Sequence, residues 1–365
     1  MEECITGRTS VQSDEDPVTG SDPVILSDRP FCLPLHIYDQ VMPAQMLSGI
    51  RLEDDRLSPA MAALHVQITF YPVWHKIRMA MPISADQVRA LHQYELRILL
   101  SLEHLMKRHE WVPLDLLKSS TGFSEGELSY RLGRLMSWDL VRYNKVPYEG
   151  YSLVFNGLDT LALRSLADRD TVKAMGSLIG VGKESVVYEG LGLTPLVLKF
   201  HRLGQRSFQS ARITRGYFPS EGHLPRLFAS ILSAEREFLA LKTLHPRVQV
   251  PLPIDRNRHV VVMSYIRGPP LIRAILADPE KILEQILENV RNAYLRGIIH
   301  ADLSEYNIMV EDGLCYLIDW PQWVETTHPN AQVLLRRDVG NLLTYFQRKY
   351  SIGKSLEETV AEVTG

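Results

Sequence analysis

The sequence has no run of about 18 apolar residues, so no segment of it reads as a membrane-spanning helix. Its three cysteines, Cys4, Cys32 and Cys315, are odd in number and scattered, with no C-x-x-C. That pattern argues against structural zinc and fits a reducing, cytoplasmic setting. The first residues lack a basic stretch followed by an apolar core, so a secretory signal is not expected. A net charge of −3 carries no overall nucleic-acid signature. The remaining balance is that of a globular protein. With 45% hydrophobic and 23% charged residues over 365 positions, two or three domains and a sizeable core are expected.

Residues 1–82 read as a poorly patterned leader. Pro, Ser and Asp cluster in its first part, and no period of 2 or 3.6 is sustained. ITFYPVW, Ile68–Trp74, has strand character, but Pro72 interrupts it. Met79 and Met81 precede an abrupt change to helical patterning, as expected if the natural start lies there. Residues 83–153 read as three helices and a hairpin. Ser84 is a candidate N-cap, with Gln87 three residues on, and one helix is expected from there to about Arg108. WVPLDLLKSS supplies a short second helix. Ser124 and Glu127 form a capping-box pattern for the third, whose core face carries Leu128, Leu132 and Leu135. LVRYNKVPYEGYSLVF then reads as two strands around a turn, completing a winged helix-turn-helix. Such a module reads nucleic acid with its third helix. Arg131, Arg134, Arg142 and Lys145 give a modest basic signal, balanced by Glu125 and Glu127. Nucleic-acid contact, protein contact and simple packing on a neighbour all stay open. Residues 154–173 read as a linker helix, with Leu161, Leu163 and Leu166 on its apolar face.

The chemistry lies further on. HADLSEYNIMV, His300–Val310, is followed by LIDWPQ, Leu317–Gln322. Asp302 stands five residues before Asn307, and Asp319 ends a short apolar run. In kinase-like phosphoryl transfer, H-x-D-x-x-x-x-N supplies a base and one metal ligand, and the aspartate after the next strand supplies another. Upstream, SLIGVGKESVVYEG reads as strand, glycine turn, strand. Gly180 and Gly182 sit where a tight turn favours residues without a Cβ, and Ser185 takes the place of a third glycine. A Walker A loop fails twice, at Ser177 and at Glu184. Lys199, in the apolar run PLVLKF, matches the strand lysine that contacts phosphates and pairs with a helix glutamate. Glu235 and Glu237 are the candidates for that partner. Glu237 is favoured because it borders the face marked by Ala234, Phe238 and Leu241. VVVMSYIRGPP reads as a strand ending in a turn; in kinase topology its end is the hinge, with Met263 beside the adenine and the backbone from Ser264 through Tyr265 to Ile266 on the base. Two helices are expected across ADPEKILEQILENVRNAYLRG, with Gly297 as a C-cap. The stretch 201–230 carries Arg202, Arg206, Arg212, Arg215 and Arg226 against Glu221. It reads as a basic loop for RNA or phosphate, or as a solvated loop.

Taken in order, GVGKES, HADLSEYN, IDWPQ and a preceding winged helix resemble the RIO family of atypical protein kinases, in its RIO kinase 2 branch. The resemblance covers residues 83–353. It implies an α+β fold: a bilobal protein-kinase-like domain over 174–365 preceded by a helix-rich winged helix-turn-helix domain. The small lobe would span 174–264 and the large lobe 265–365, without a peptide-binding activation segment. By resemblance, Lys183, Glu184 and Ser185 lie along the triphosphate of ATP, and Lys199 binds phosphate beside Glu237. Asp302 is the base, Asn307 and Asp319 hold Mg²⁺ (Mn²⁺ being an alternative ion), and Asp338 braces the catalytic loop. Asp319 is also implied as an acceptor of phosphate during slow ATP hydrolysis. The implied activity is that of a serine/threonine kinase or ATPase in small ribosomal subunit maturation. Its partners would be precursor rRNA and ribosomal proteins, bound by the winged helix and the basic loop. Two departures stand out: Ala301 where glycine is common, tolerable unless φ is positive, and Trp320 where phenylalanine is frequent. A small-molecule phosphotransferase shares H-x-D-x-x-x-x-N but neither GKES nor a winged helix. A non-catalytic nucleotide-dependent scaffold is the second alternative.

Overall fold

The computed structural model describes residues 24–25, 85–203 and 226–365. The expectations for the rest of the leader, for the start at Met79 or Met81, for the Ser84 cap and for most of the basic loop lie outside the described residues. Helices α1 (Ala85–Ala90) and α2 (Gln93–Leu105) replace the single first helix expected from the pattern. The break follows from a local capping box. His92 Nδ1 accepts from the Tyr94 N–H, while Glu95 Oε2 accepts from the His92 N–H at 2.9 Å. Helix α3 (Leu114–Thr121) ends at Gly122, whose φ of +70° is the left-handed stop glycine favours. Helix α4 (Glu125–Ser137) starts at Ser124, whose hydroxyl accepts from the Glu127 N–H at 3.3 Å. The Glu127 carboxylate does not return to close a box; it holds Arg131 Nε at 2.8 Å. Leu128, Leu132 and Leu135 are fully buried, as their spacing requires. Strands β2 (Val141–Asn144) and β3 (Gly150–Leu153) pair antiparallel to form the wing.

Arg131 and Arg134 point inward rather than outward. Both approach Glu95, at 3.6 and 3.3 Å, and Glu95 is completely buried. Helix α4 thus turns both arginines toward a carboxylate of α2, with Glu127 of its own first turn also on Arg131, and leaves Tyr130 exposed.

Linker helix α5 (Phe155–Asp168) leads into the small lobe. Its antiparallel sheet has the order β1-β4-β5-β6-β8-β7. The strands are β1 (Val24–Ile25), β4 (Ala174–Val181), β5 (Ser185–Leu191), β6 (Pro195–His201), β7 (Pro253–Asn257) and β8 (Val260–Ser264). Helix α6 (Arg226–Leu244) packs under it. One hydrophobic core runs without interruption from Ile98 and Leu102 of α2 through Leu158 and Leu166 of α5 to Leu198 and Phe200 of β6. The winged helix is thus fused to the small lobe by shared apolar burial. Polar contacts fix the register of that seam. Glu103 receives both Arg258 Nε and Arg258 Nη2, at 2.7 and 2.8 Å. Asp159 of α5 is buried between Arg202 Nη2 and His259 Nε2, the latter at 2.7 Å. Arg202, counted among the cations of the basic loop, is therefore a buried structural residue instead.

The large lobe holds a second core around Leu283, Ile286, Leu317 and Val339. Its elements are α7 (Pro279–Leu295), β9 (Ile298–Ile299), β10 (Ile308–Glu311), β11 (Leu314–Leu317), β12 (Val324–Glu325), α8 (Ala331–Tyr350) and α9 (Leu356–Thr364). One helix, not two, occupies the stretch after the hinge. Its buried Ile282, Leu283, Ile286, Leu287 and Val290 keep a helical period without a break. Gly297 follows it at φ +79°. At the lobe crossing, a Cβ on Gly268 would lie 1.7 Å from the Val310 carbonyl oxygen, so only glycine lets the chain cross β10 there. Ala301 adopts φ +61°, so the one condition under which alanine is unfavourable there is met.

Two outcomes follow. Asp159→Asn removes the anion facing a buried guanidinium and is expected to cost about 3–5 kcal/mol in urea denaturation. Burial pushes the Asp159 carboxyl up, but Arg202 and His259 outweigh it and hold it below the ordinary range. Its contribution is therefore present above the ordinary aspartate pKa and lost as pH falls through the depressed value. The variant should show a flatter acid limb. Ala301→Gly, by relieving left-handed strain, is expected to raise stability by ~1 kcal/mol, read as a shift in the urea midpoint.

Candidate active site

Strand alternation places the cleft residues. Register pairs Val187 with Lys199, Lys199 with Val261, and Val197 with Met263. Since side chains two apart share a face, Val197, Lys199 and His201 of β6 lie on one side of the sheet. Counting by two from Lys199 identifies Val197 and His201, which motif spacing alone missed.

Lys199 is buried, and its ammonium is held by two carboxylates. Nζ lies 2.7 Å from Glu237 Oε1 and 2.6 Å from Asp319 Oδ1. Glu235, the other helix candidate, is on the surface facing Arg256 at 3.6 Å. Burial alone would lower the Lys199 pKa, but Asp319 and Glu237 outweigh burial and hold it above the ordinary lysine value. Burial would likewise raise Glu237, but Lys199 and then His201 hold it well below the ordinary glutamate value. By formal charge, one ammonium faces two carboxylates, an excess of one negative charge. Glu237 is bound further by the Trp320 N–H, at 3.3 Å to Oε1. Trp320 is fully buried, donates its indole N–H to the Leu317 carbonyl at 3.0 Å, and packs 4.4 Å from the His300 ring. The larger ring at this position is accommodated.

The catalytic-type loop is tied to the large lobe by its backbone. Asn307 Nδ2 donates to the Asp302 carbonyl at 2.8 Å, and Asn341 Nδ2 to the Leu303 carbonyl at 3.2 Å. Arg337 donates to the Ala301 carbonyl. Asp338 is buried behind the loop, and burial pushes its carboxyl up against the influence of His300 and Arg337. The Ile318 N–H reaches the Asn307 carbonyl at 2.9 Å, so the ladder of β10 and β11 sets Asn307 beside the residue before Asp319. Asp302 is exposed, and Asp319 is 41% exposed and holds φ +68°. A non-glycine residue in that conformation marks a strained position at the mouth of the cleft.

The glycine turn needs no glycine for its own geometry. Neither Gly180 nor Gly182 has a positive φ, and nothing lies within 4 Å of a Cβ built on Gly180. The expected reason, a tight turn, is therefore replaced by another: bare backbone leaves room for a ligand to approach. The turn closes through the Gly182 N–H and the Ser185 carbonyl at 2.8 Å, and Lys183 is exposed at its tip. Glu184 crosses to the large lobe, where Gln322 Nε2 donates to its Oε2 at 3.1 Å. Gln322 lies within the LIDWPQ string, but its contact with Glu184 was not among the roles expected there. Met263 is buried at the end of β8; sheet pairing stops at Ser264, and Tyr265 and Ile266 leave the ladder beyond it. Asn307, Asp302 and Asp319 offer hard oxygen donors, and the excess negative charge suits a divalent cation such as Mg²⁺. No group of three or more His, Cys, Asp or Glu ligands exists among the described residues.

Family comparisons agree with this geometry. Residues 186–359 match the RIO domain, and residues 88–169 match the Rio2 N-terminal domain. The chain is 40% identical over 262 residues to the RIO-type serine/threonine-protein kinase Rio2 of Methanocaldococcus jannaschii, covering 69% of this chain and 96% of that protein. It is 37% identical to the serine/threonine-protein kinase rio2 of Schizosaccharomyces pombe, over 73% of this chain and 80% of that one. Against the Caenorhabditis elegans RIO2 kinase, the match spans 52% of the relative's length. A crystal structure of the Rio2 kinase–ADP/Mg²⁺–phosphoaspartate complex from Chaetomium thermophilum superposes with a TM-score of 0.67 at 29% identity, over 77% of this chain and 89% of that one. The chain belongs to the RIO family of serine/threonine-protein kinases, in its Rio2 branch.

Proposed function

We propose that this chain is an ATP- and Mg²⁺-dependent phosphotransferase that passes the γ-phosphoryl group to a serine or threonine hydroxyl or to its own Asp319. The observation that carries this reading is Lys199 held between Glu237 and Asp319 at 2.7 and 2.6 Å. The relatives are named serine/threonine kinases, and the solved relative is described with ADP, Mg²⁺ and a phosphoaspartate.

In this reading the adenine lies against Val187, Val197 and Met263 and bonds the backbone at Tyr265 and Ile266. The phosphates run past Gly180, Gly182, Lys183, Glu184 and Ser185 to Lys199. Asn307 and Asp319 hold Mg²⁺, which neutralises phosphate charge when bound. Asp302 accepts the proton of an attacking hydroxyl. With Asp319 as acceptor, its carboxylate oxygen forms the new bond to phosphorus and ADP leaves. Water then cleaves the acyl phosphate, restoring the carboxylate and releasing inorganic phosphate. The small-molecule phosphotransferase reading has no use for a winged helix fused to the small lobe.

The domain division is proposed as 83–153 for the winged helix, 154–173 for the linker and 174–365 for the kinase domain. The partner proposed is the small ribosomal subunit precursor, and the setting cytoplasmic. No helix among the described residues is long and apolar enough to cross a membrane. With Arg131 and Arg134 facing Glu95, the wing offers exposed Lys145 and Arg142, the latter beside Asp139 at 3.6 Å, as cations for RNA.

Asp302→Ala and Asp319→Ala are each expected to lower ATP turnover by about 100-fold or more, with the urea midpoint little changed. Wild-type turnover in both variants would contradict the assignment.

A further inference from the structure

His201 lies two residues beyond Lys199 on the same face of β6 and is 1% exposed. Both ring nitrogens face helix α6. Nδ1 is 3.0 Å from Ser233 Oγ, and Nε2 is 2.7 Å from Glu237 Oε2. Ser233 and Glu237 are four residues apart, one helical turn, so the ring spans consecutive turns of α6. A Ser233 hydroxyl donating to Nδ1 leaves the hydrogen on Nε2, facing the carboxylate.

The two oxygens of Glu237 differ. Oε1 receives Lys199 Nζ at 2.7 Å and the Trp320 N–H at 3.3 Å. Oε2 is buried and has no well-aligned donor; the approach of His201 is short but off the ring's N–H axis. His201 is the polar group that compensates this oxygen, by a charge–dipole contact. A buried carboxylate oxygen left without compensation is costly, so its loss would turn Glu237 away. Lys199 would then have a single carboxylate within reach, Asp319 at 2.6 Å.

Resting on the ATP reading above, we propose that His201 is a positioning residue that holds Glu237 on Lys199, so that Lys199 is shared between two carboxylates and can turn to phosphate, where without the clamp Asp319 alone would hold it.

The test uses the intact chain and its His201→Leu and His201→Gln variants. The leucine keeps the bulk without a donor, and the glutamine returns an N–H near the position of Nε2. The dissociation constant of ADP is measured in EDTA, and kcat and KM for ATP with Mg²⁺. His201→Leu should weaken ADP by about tenfold or more, the loss of one charge-assisted contact. His201→Gln should stay within about threefold of wild type, and adding Asp319→Asn to His201→Leu should restore ADP affinity by freeing Lys199. Equal losses in the leucine and glutamine variants would show a packing role and overturn the inference. So would wild-type ADP affinity in His201→Leu, or no rescue by Asp319→Asn. Should His201→Leu not fold, Ser233→Ala reads the same competition: weaker ADP binding supports the inference, and unchanged binding overturns it. Failure of the ATP reading is distinct, because wild type would then bind no ADP.

Discussion

One buried ammonium group between two carboxylates sets the charge balance of this molecule. Lys199 comes from a small-lobe strand, Glu237 from the helix beneath it and Asp319 from the large lobe. Their meeting requires both lobes, which an apolar core running from Ala234, Leu241 and Met263 to Leu317 and Trp320 also joins. The balance, one positive charge against two negative, leaves a deficit that a divalent cation or the reorganisation of Lys199 toward phosphate would meet. Asp319 is partly exposed and held in a strained backbone, and it sits where that deficit is most accessible.

The winged helix is not an appendage on a tether. Its helices share an apolar core with the small lobe, and the buried Asp159, Arg202 and His259 lock the linker helix to the sheet. Arg202 also donates its backbone N–H to the Glu184 carbonyl at 2.6 Å, within the glycine turn. A contiguous set of contacts therefore joins the linker helix to the phosphate end of the cleft. That arrangement places the winged helix on the same lobe as the glycine turn and Lys199.

Much of the site was legible because short loops carry it. Asp302, Asn307 and Asp319 lie within one hairpin's reach, so their spacing survives folding. Glu237 was separable from Glu235 because one helical face is buried and the next is not. The misses have equally physical causes. The break at His92 depends on a local hydrogen-bond contest that hydrophobic period does not record. The single helix α7 was divided in the reading although its period runs on. The glycines were assigned to the needs of a tight turn, whereas neither has a positive φ and a Cβ on Gly180 would meet open space. Arg131, Arg134 and Arg202 were counted as surface charge, since only tertiary structure supplies their buried carboxylates. His201 and Gln322 act through long-range partners that no local pattern announces.

Of the two acceptors proposed, a protein hydroxyl and Asp319, we propose that Asp319, 2.6 Å from Lys199 and partly exposed, is the one that receives phosphate. Single-turnover labelling of the intact chain with γ-labelled ATP, followed by acid and hydroxylamine treatment, tests it most directly. The account predicts label on the protein that hydroxylamine releases, as an acyl phosphate requires, and that is absent in Asp319→Asn. Label that resists hydroxylamine and maps to serine would contradict it.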